Sequence, residues 1–396
     1  MFIMHCKRLL TFIDGISSYL SVGLDVGADF TWMSIALPNG SFVGKPFKII
    51  HSDSRSRDLA VTKIKEAQET YSLKSRCFLE STGIYHIPLL CFLRDKGFDC
   101  SVINPIITKN STNINIRKLH NDKFDSKKAA LVGLNVSLKT SILPDDSVVD
   151  LRNLVRDYYY FKDLQSAVAL KLTAELKVSF PAYAKVFSKV TTQSSLKLLS
   201  SYPLPADMLA ASKEDIVDII RSTARFGEAY ALRKYDAIIA AAQDAAVFGR
   251  ALPSNAVRIR LYIDTYQEYQ KHLDALLKAL HETVEKLQDT LIYDQICLLQ
   301  SLRGIGFLSA VVLIAEMGDF KLFSSPKKLY AYFGLDPAVK QSGKLNGDKV
   351  HMSKRGSSLA RRVLHMAALN NVKVDKGSGT PVNPVIYDYY TRKCSG

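Results

Sequence analysis

The chain has 396 residues, 47% of them hydrophobic and 23% charged, which fits two or three globular domains and excludes a disordered or fibrous polymer. Lys and Arg number 53 against 38 Asp and Glu, a net charge of +15 with a pI near 9.4, so a polyanion is the expected partner: nucleic acid first, an anionic membrane surface second. The most apolar run, Phe307–Met317, contains Glu316 and falls well short of the roughly 20 residues a membrane span needs. The N-terminal stretch is broken by Lys7, Arg8 and Asp14 and lacks a cleavage pattern, so no signal peptide is expected. The six cysteines form no C-x-x-C pair, which argues against a zinc site or a disulfide framework and for a reducing, cytoplasmic setting.

The first region runs to about Pro144. Residues 21–27 (SVGLDVG) read as a short buried strand carrying one acid, Asp25. Phe30–Leu37 is a second strand, and Pro38-Asn39-Gly40 is a turn signal that makes Ser41–Ile50 its hairpin partner. Asp53–Tyr71 has helical spacing; Arg76–Glu80 is a strand ending in an acid; Ile84–Lys96 is a helix stopped by Gly97. Cys100–Ile103 is another strand, and a helix opens near Asn121. The order β-β-β-α-β-α-β-α predicts a mixed sheet with helices packed on it.

The second region, about Asp145–Ile296, reads as almost wholly helical. Tyr262, Tyr266, Tyr269, Leu273, Leu276, Leu280, Val284, Leu287 and Leu291 form a heptad-like seam, which predicts a long helix packed on a partner. Val148–Leu176 is a candidate partner within the chain; pairing between chains is equally compatible. The third region, from Cys297 onward, holds 15 Lys/Arg and 6 Asp/Glu, a net +9. Two helices are expected to flank Gly304-Ile305-Gly306, a basic stretch follows from Lys340 to Arg362, and residues 376–384 read as a loop.

Four carboxylates stand out. Asp25 lies inside an apolar strand, where an unpaired charge is costly and calls for a metal or a cation. Glu80 ends another strand, at the edge where open α/β sheets place ligands. Asp122 and Asp125 are three apart and share one helix face. If that helix packs beside both strand ends, the four acids converge. Such a cluster repels itself unless it holds hard divalent cations, magnesium or manganese, which can serve phosphodiester chemistry. Each acid taken singly also has a structural reading as a turn, capping or helix-dipole residue. Gly304 and Gly306 fit either a helix-hairpin-helix presenting backbone N–H groups to DNA phosphate or an ordinary turn. Ser342 stands between Lys340 and Lys344, before Gly343. Lys354 and Arg355 precede a helix whose first turn carries Arg361 and Arg362, a natural phosphate site or a solvated basic loop.

These residues together resemble DEDD-class transposases of the insertion-sequence family one-hundred-and-ten, related to the Piv-type DNA invertases. The matching stretches are VGLDVG at 22–27, FLESTGIY at 78–85, NP at 104–105, LHNDKFDSKKAAL at 119–131, and then LRGIGFLSAVVLIAEMGD (302–319), LYAYFGLDP (329–337), KQSGK (340–344) and SKRGSSLARRVLHMAAL (353–369). The resemblance implies an α/β plus all-α chain: an N-terminal extension (1–20), a RuvC-like domain of RNase H fold (21–144), a helical coiled-coil region (145–296) and a mainly helical C-terminal transposase domain with a helix-hairpin-helix (297–396). It implies that Asp25, Glu80, Asp122 and Asp125 hold magnesium. Ser342 becomes the nucleophile that forms a 5′-phosphoserine with DNA. Gly304, Gly306, Lys340, Lys344, Lys354, Arg355, Arg361 and Arg362 become nucleic-acid contacts. The implied partners are the element ends and target DNA, a guide RNA from the element, and further copies of the chain as a dimer or tetramer. Ser126 and Asn121 depart from the family pattern without removing a carboxylate. The family's further helix after Tyr389-Tyr390 is expected to be missing here. Three alternatives use other features: a metal-dependent nuclease or Holliday-junction resolvase needs only the acids, a tyrosine recombinase would use Tyr387, Tyr389 or Tyr390, and a truncated copy would bind nucleic acid without catalysis.

Overall fold

The structure is a computed structural model describing residues 19–80, 84–103, 122–135, 146–223, 227–337, 341–342, 345–346 and 351–395. The proposed extension 1–20 thus lies almost entirely outside the described residues. The chain divides after Leu143 into two units.

The first unit is built on one five-stranded sheet of order β3-β2-β1-β4-β5. Its strands are β1 (Tyr19–Val26), β2 (Phe30–Ala36), β3 (Phe47–Ile50), β4 (Lys74–Glu80) and β5 (Asp99–Ile103). β1 pairs antiparallel with β2 and parallel with β4; β2–β3 is antiparallel and β4–β5 parallel. The mixed sheet foreseen from the sequence is therefore present. The hairpin partner is shorter than the expected Ser41–Ile50: only Phe47–Ile50 is strand, with a single bridge from Ala36 to Phe42 before it. Gly40 takes φ +83°, and Asn39 accepts from the Ser41 amide at 3.0 Å, so the turn forms where Asn-Gly marks it. Lys45-Pro46 then interrupts pairing, since proline has no amide to donate.

The two faces of β1 differ chemically. Leu20, Val22, Leu24 and Val26 point to one face, where they form a core with helices α1 (Ser54–Tyr71) and α2 (His86–Asp95). The alternate positions Tyr19, Ser21, Gly23 and Asp25 point to the other, which is covered by α3 (Asp122–Asn135). A smaller core of Phe78, Ile103, Ala129 and Val132 forms there.

The second unit is helical. Two long helices, α4 (Asp146–Ser179) and α9 (Pro253–Glu285), run antiparallel along each other. Leu151 and Val155 join one core with Leu280 and Val284, Phe161 meets Tyr269, and Glu175 pairs with Arg258 at 2.7 Å, so one numbering rises as the other falls. Each helix is about 50 Å long at 1.5 Å per residue. One end packs with α5 (Gln193–Ser201), α6 (Pro205–Ala210), α7 (Lys213–Thr223) and α8 (Glu228–Phe248) around Tyr183 and Phe180. The other packs with α10 (Leu291–Gln300), α11 (Phe307–Met317), α12 (Pro326–Tyr332) and α13 (Ser358–Asn371). A two-residue hairpin, β6 (Gln341–Ser342) with β7 (Leu345–Asn346), and α14 (Pro384–Cys394) complete the described elements. The predicted seam is corrected at its end. The helix stops at Glu285, Asp289 turns at φ +67°, and Leu287 and Leu291 lie beyond it. Val148–Leu176 is the internal partner anticipated for the seam.

Candidate functional site

Asp25 and Glu80 lie at the ends of adjacent strands, and the way α3 docks sets its first turn, with Asp122 and Asp125, at the same end of the sheet. The helix lies directly on β1 because Gly23 presents no side chain: a Cβ there would sit 2.2 Å from the Ala130 amide nitrogen and the Ser126 carbonyl. Gly133 serves the same approach from the helix side, against the Phe78 ring. Three hydrogen bonds pin the contact. The Tyr19 hydroxyl donates to the Gly133 carbonyl at 2.7 Å, Ser21 Oγ to the Ala130 carbonyl at 2.6 Å, and Ser34 Oγ to Ser126 Oγ at 2.8 Å, Ser126 Oγ itself donating to the Lys123 carbonyl. As β1 rises from Tyr19 toward Asp25, its contacts on α3 descend from Gly133 toward Ser126. The helix therefore runs antiparallel to the strand, and its first turn, with Asp122 and Asp125, lies at the Asp25 end.

Asp25 shares its face of β1 with Gly23, and Glu80 shares its face of β4 with Phe78, which is paired with Gly23. The last registered pair of these parallel strands is Leu24 with Leu79, so Asp25 and Glu80 are the next residues on adjacent strands. Both are half-buried, as is Asp125; the side chain of Asp122 lies outside the described residues. Trp32 stands opposite Asp25 on β2, and Lys123 Nζ sits 4.7 Å from its ring centroid. This end of the sheet thus offers hard oxygen donors whose chemistry suits magnesium or manganese. Among the described residues, no group of three or more His, Cys, Asp or Glu side chains is close enough to hold a metal ion.

In the second unit, Ser342 ends β6 opposite Leu345; its side chain, Lys340 and Lys344 lie outside the described residues. The base of that segment is clasped. Pro337 bridges Met352, the Ser353 amide donates to the Asp336 carbonyl at 2.8 Å, and Ser353 Oγ donates to Asp336 Oδ1 at 2.5 Å. Lys354, at φ +54°, and Arg355 are exposed beside it. Gly334 and Gly356 let the two backbones cross, since a Cβ at Gly356 would lie 2.0 Å from the Tyr332 carbonyl. Ser357 caps α13 by accepting from the Ala360 amide at 3.1 Å. Arg361 and Arg362 are engaged inside the unit. Arg361 donates to the Phe333 and Gly356 carbonyls at 2.9 and 2.7 Å; Arg362 donates to Asp163 at 2.8 Å and lies over Tyr159. Gly304 takes φ +84° between α10 and α11 with Asn371 against it, and Gly306 is open to solvent at the N-terminus of α11.

A buried charged pair in this unit escaped the sequence reading. Glu316 of α11 is buried and accepts two hydrogen bonds from Arg156 of α4, at 2.8 and 3.0 Å; Arg152 donates to the neighbouring Ala315 carbonyl at 2.7 Å. Burial alone would raise the Glu316 carboxyl, but Arg156, with Ser357 and Arg152, outweighs it and holds the group below its ordinary value. The only available signal was an acid inside an apolar helix.

The five-stranded mixed sheet, with a mostly helical remainder, fits the RNase H-like domain of a DEDD-type transposase. A family described as a DEDD transposase of IS110 type matches residues 22–181, and the family described as "Transposase IS116/IS110/IS902 family" matches residues 297–383. Together they cover more than half of the chain, which belongs to this family of insertion-element transposases. Among curated relatives, the chain is 30% identical over 121 residues to the transposase-named y4qE protein of Sinorhizobium fredii (29% of this chain, 31% of the relative). It is 23% identical over 272 residues to the insertion element IS110 43.6 kDa protein of Streptomyces coelicolor (65% and 63%). It is 24% identical over 279 residues to the insertion element IS900 42 kDa protein of Mycobacterium paratuberculosis (68% and 65%). The matched stretches thus span less than two thirds of each of these relatives. No helix among the described residues is long and apolar enough to cross a membrane.

Proposed function

We propose that this chain is the DNA recombinase of an insertion sequence, cutting and rejoining strands at the element ends and target. One observation supports this above the rest: α3 docks on β1 through Gly23, which gathers Asp25, Glu80 and the Asp122–Asp125 turn at one end of the sheet. Those four acids would hold magnesium or manganese, which when bound supplies charge stabilisation at a phosphodiester. Ser342 is the nucleophile. Its Oγ attacks the scissile phosphorus, the Ser342 proton leaves, the bond to the 3′ oxygen breaks, and that oxygen takes up a proton as a free 3′ hydroxyl. The phosphate stays joined to serine at the 5′ end, so the ester energy is kept for rejoining. Attack by another strand's 3′ hydroxyl reverses the step and frees Ser342. Lys340 and Lys344 neutralise developing charge, and Gly343 lets backbone approach the phosphate. Gly304, Gly306, Lys354 and Arg355 grip the DNA backbone; Arg361 and Arg362 act through the local fold they hold. A guide RNA selects the target, and a dimer or tetramer supplies the active sites for both ends.

Ser353, before Lys354 and Arg355, is the other serine in a basic setting; its hydroxyl already donates to Asp336, which supports Ser342 as the nucleophile. The test is a nicked suicide substrate, with the trapped adduct located by mass spectrometry. The expected adduct is on Ser342 and is lost in Ser342→Ala. An adduct on Ser353 or a tyrosine overturns the assignment, and cleavage without any adduct identifies a nuclease instead.

A further inference from the structure

The same end of the sheet carries a second feature that the acids do not use. A cavity of about 400 Å³ opens between the β1–β2 turn, the start of α1 and α2, lined by Ala28, His51, Arg57, Tyr85, Leu89 and Phe92. Its walls are apolar or aromatic apart from Arg57 and His51, and both of these are held in place. The His51 ring bonds Thr31 Oγ1 at 2.8 Å and the Ala28 carbonyl at 3.0 Å. Arg57 donates to the His51 carbonyl, and its guanidinium carbon lies 6.0 Å from the Phe92 ring centroid. The slot is therefore preformed and of the size that accepts a small planar ligand.

Its rim is apolar where a surface turn is ordinarily polar. Ile84 and Tyr85, 73% and 51% exposed, stand four and five residues after Glu80 on the segment leaving β4. Ala28 follows Asp25 by three residues at the end of β1. The cavity and the acids thus belong to the ends of the same two strands. Aromatic faces beside an arginine are the combination that holds an unstacked base, stacking supplying affinity and the cation meeting the negative strand. The first turn of α1 carries Arg55 and Arg57 and no acid.

We propose that this cavity receives one unpaired base of the DNA strand that lies across the sheet end, stacked on Tyr85. This rests on the reading that the neighbouring acids act on DNA. Holding a base there would fix the strand's register relative to Asp25 and Glu80, making Tyr85 a positioning residue.

The test uses the full chain in buffer free of divalent cations, so that no strand is cut. Single-stranded DNA carrying 5-iododeoxyuridine at successive positions is bound, photo-crosslinked and mapped by mass spectrometry, and affinity is measured by anisotropy. The expected crosslink is to Tyr85 from one nucleotide position. Tyr85→Ala should weaken single-strand binding roughly tenfold, Tyr85→Phe should keep it, and duplex binding should hold in both. Tyr85 is half exposed, so its truncation leaves the cores intact, and an unchanged circular dichroism melt verifies this. Crosslinks elsewhere with wild-type affinity in Tyr85→Ala overturn the proposal while leaving the recombinase reading in place. Absence of all DNA binding by the wild-type chain overturns that reading itself. A matched RNA strand that binds more tightly with the same Tyr85 dependence overturns the assignment to DNA.

Discussion

Gly23→Ala should cripple the first unit, because the approach of α3 to β1 leaves no room for one methyl group. The added Cβ would meet the Ala130 nitrogen and the Ser126 oxygen at 2.2 Å, whereas ordinary contact begins near 3.4 Å. Both obstacles are backbone, so no side chain can rotate away, and α3 must retreat by about 1 Å. That retreat stretches the Tyr19, Ser21 and Ser34 hydrogen bonds, now 2.6 to 2.8 Å, beyond useful range. At about 1 kcal/mol each they sum to about 3 kcal/mol, before any loss of packing around Phe78. A melt of the first unit should fall by roughly 10 °C. The same shift moves the first turn of α3, which carries Asp125, away from the strand ends, and in the proposed site misplacement on that scale can cost about a hundredfold in rate. Calorimetry and a strand-cleavage assay read the two effects. Gly227→Ala, where a Cβ meets nothing within 4 Å, is the control and should behave as wild type. Wild-type melting and cleavage in Gly23→Ala would refute the docking argument.

Three further outcomes are expected. Trp32, the chain's single tryptophan, stands opposite Asp25, so magnesium should change its fluorescence saturably; Asp25→Asn should remove the response, and full cleavage in EDTA would contradict the metal assignment. Arg156→Ala should destabilise the second unit by about 2–3 kcal/mol at neutral pH, less than a fully buried pair because Arg156 is 58% exposed while Glu316 is 3%. The depressed Glu316 carboxyl stabilises the wild type above the ordinary glutamate range and loses that contribution as pH falls through its lowered value. In Arg156→Ala the unpaired carboxyl protonates more readily, so denaturant melts should show the penalty shrinking toward acid pH; a constant penalty would rule out the ion pair as its source. Finally, DNA affinity should fall with salt at a log–log slope of about −5 if about six phosphates are neutralised, and a slope near zero would mean the net +9 after Cys297 serves another purpose.

The sheet was legible because its strands alternate cleanly and its turns are marked. Gly40 and Gly97 take the positive φ their positions implied, and the apolar half of β1 could only face a core. The hairpin partner was overcalled because Lys45-Pro46 breaks the pairing midway, a signal weaker than the apolar run that follows. The heptad seam identified a real helix but could not locate its end. Asp289 turns left-handed where nothing in the 3-4 spacing changes, so the periodicity runs on into the next helix by coincidence.

The seam also shows why periodicity alone does not choose a partner. Leu273, Leu280 and Val284 are buried inside one chain, against the same α4 face that the sequence offered as one of two options. An apolar stripe states that it will be covered, not by which molecule; that depends on whether the intervening α5–α8 segment is long enough to return the chain antiparallel, which it is. The acids stood out for another reason: a charge inside an apolar strand is expensive, so Asp25 and the acids that follow it in order draw notice before any packing is known. The missing piece was how the helix that carries Asp122 and Asp125 docks on the sheet. Gly23 is the residue that decides it, and its signal was in the sequence: a glycine inside an otherwise apolar strand, two residues before Asp25, marks a place where another backbone comes close. The docking of α3 is thus what the proposed site rests on, since the strand ends alone supply Asp25 and Glu80 and the glycine contact sets the Asp122–Asp125 turn at the same end of the sheet.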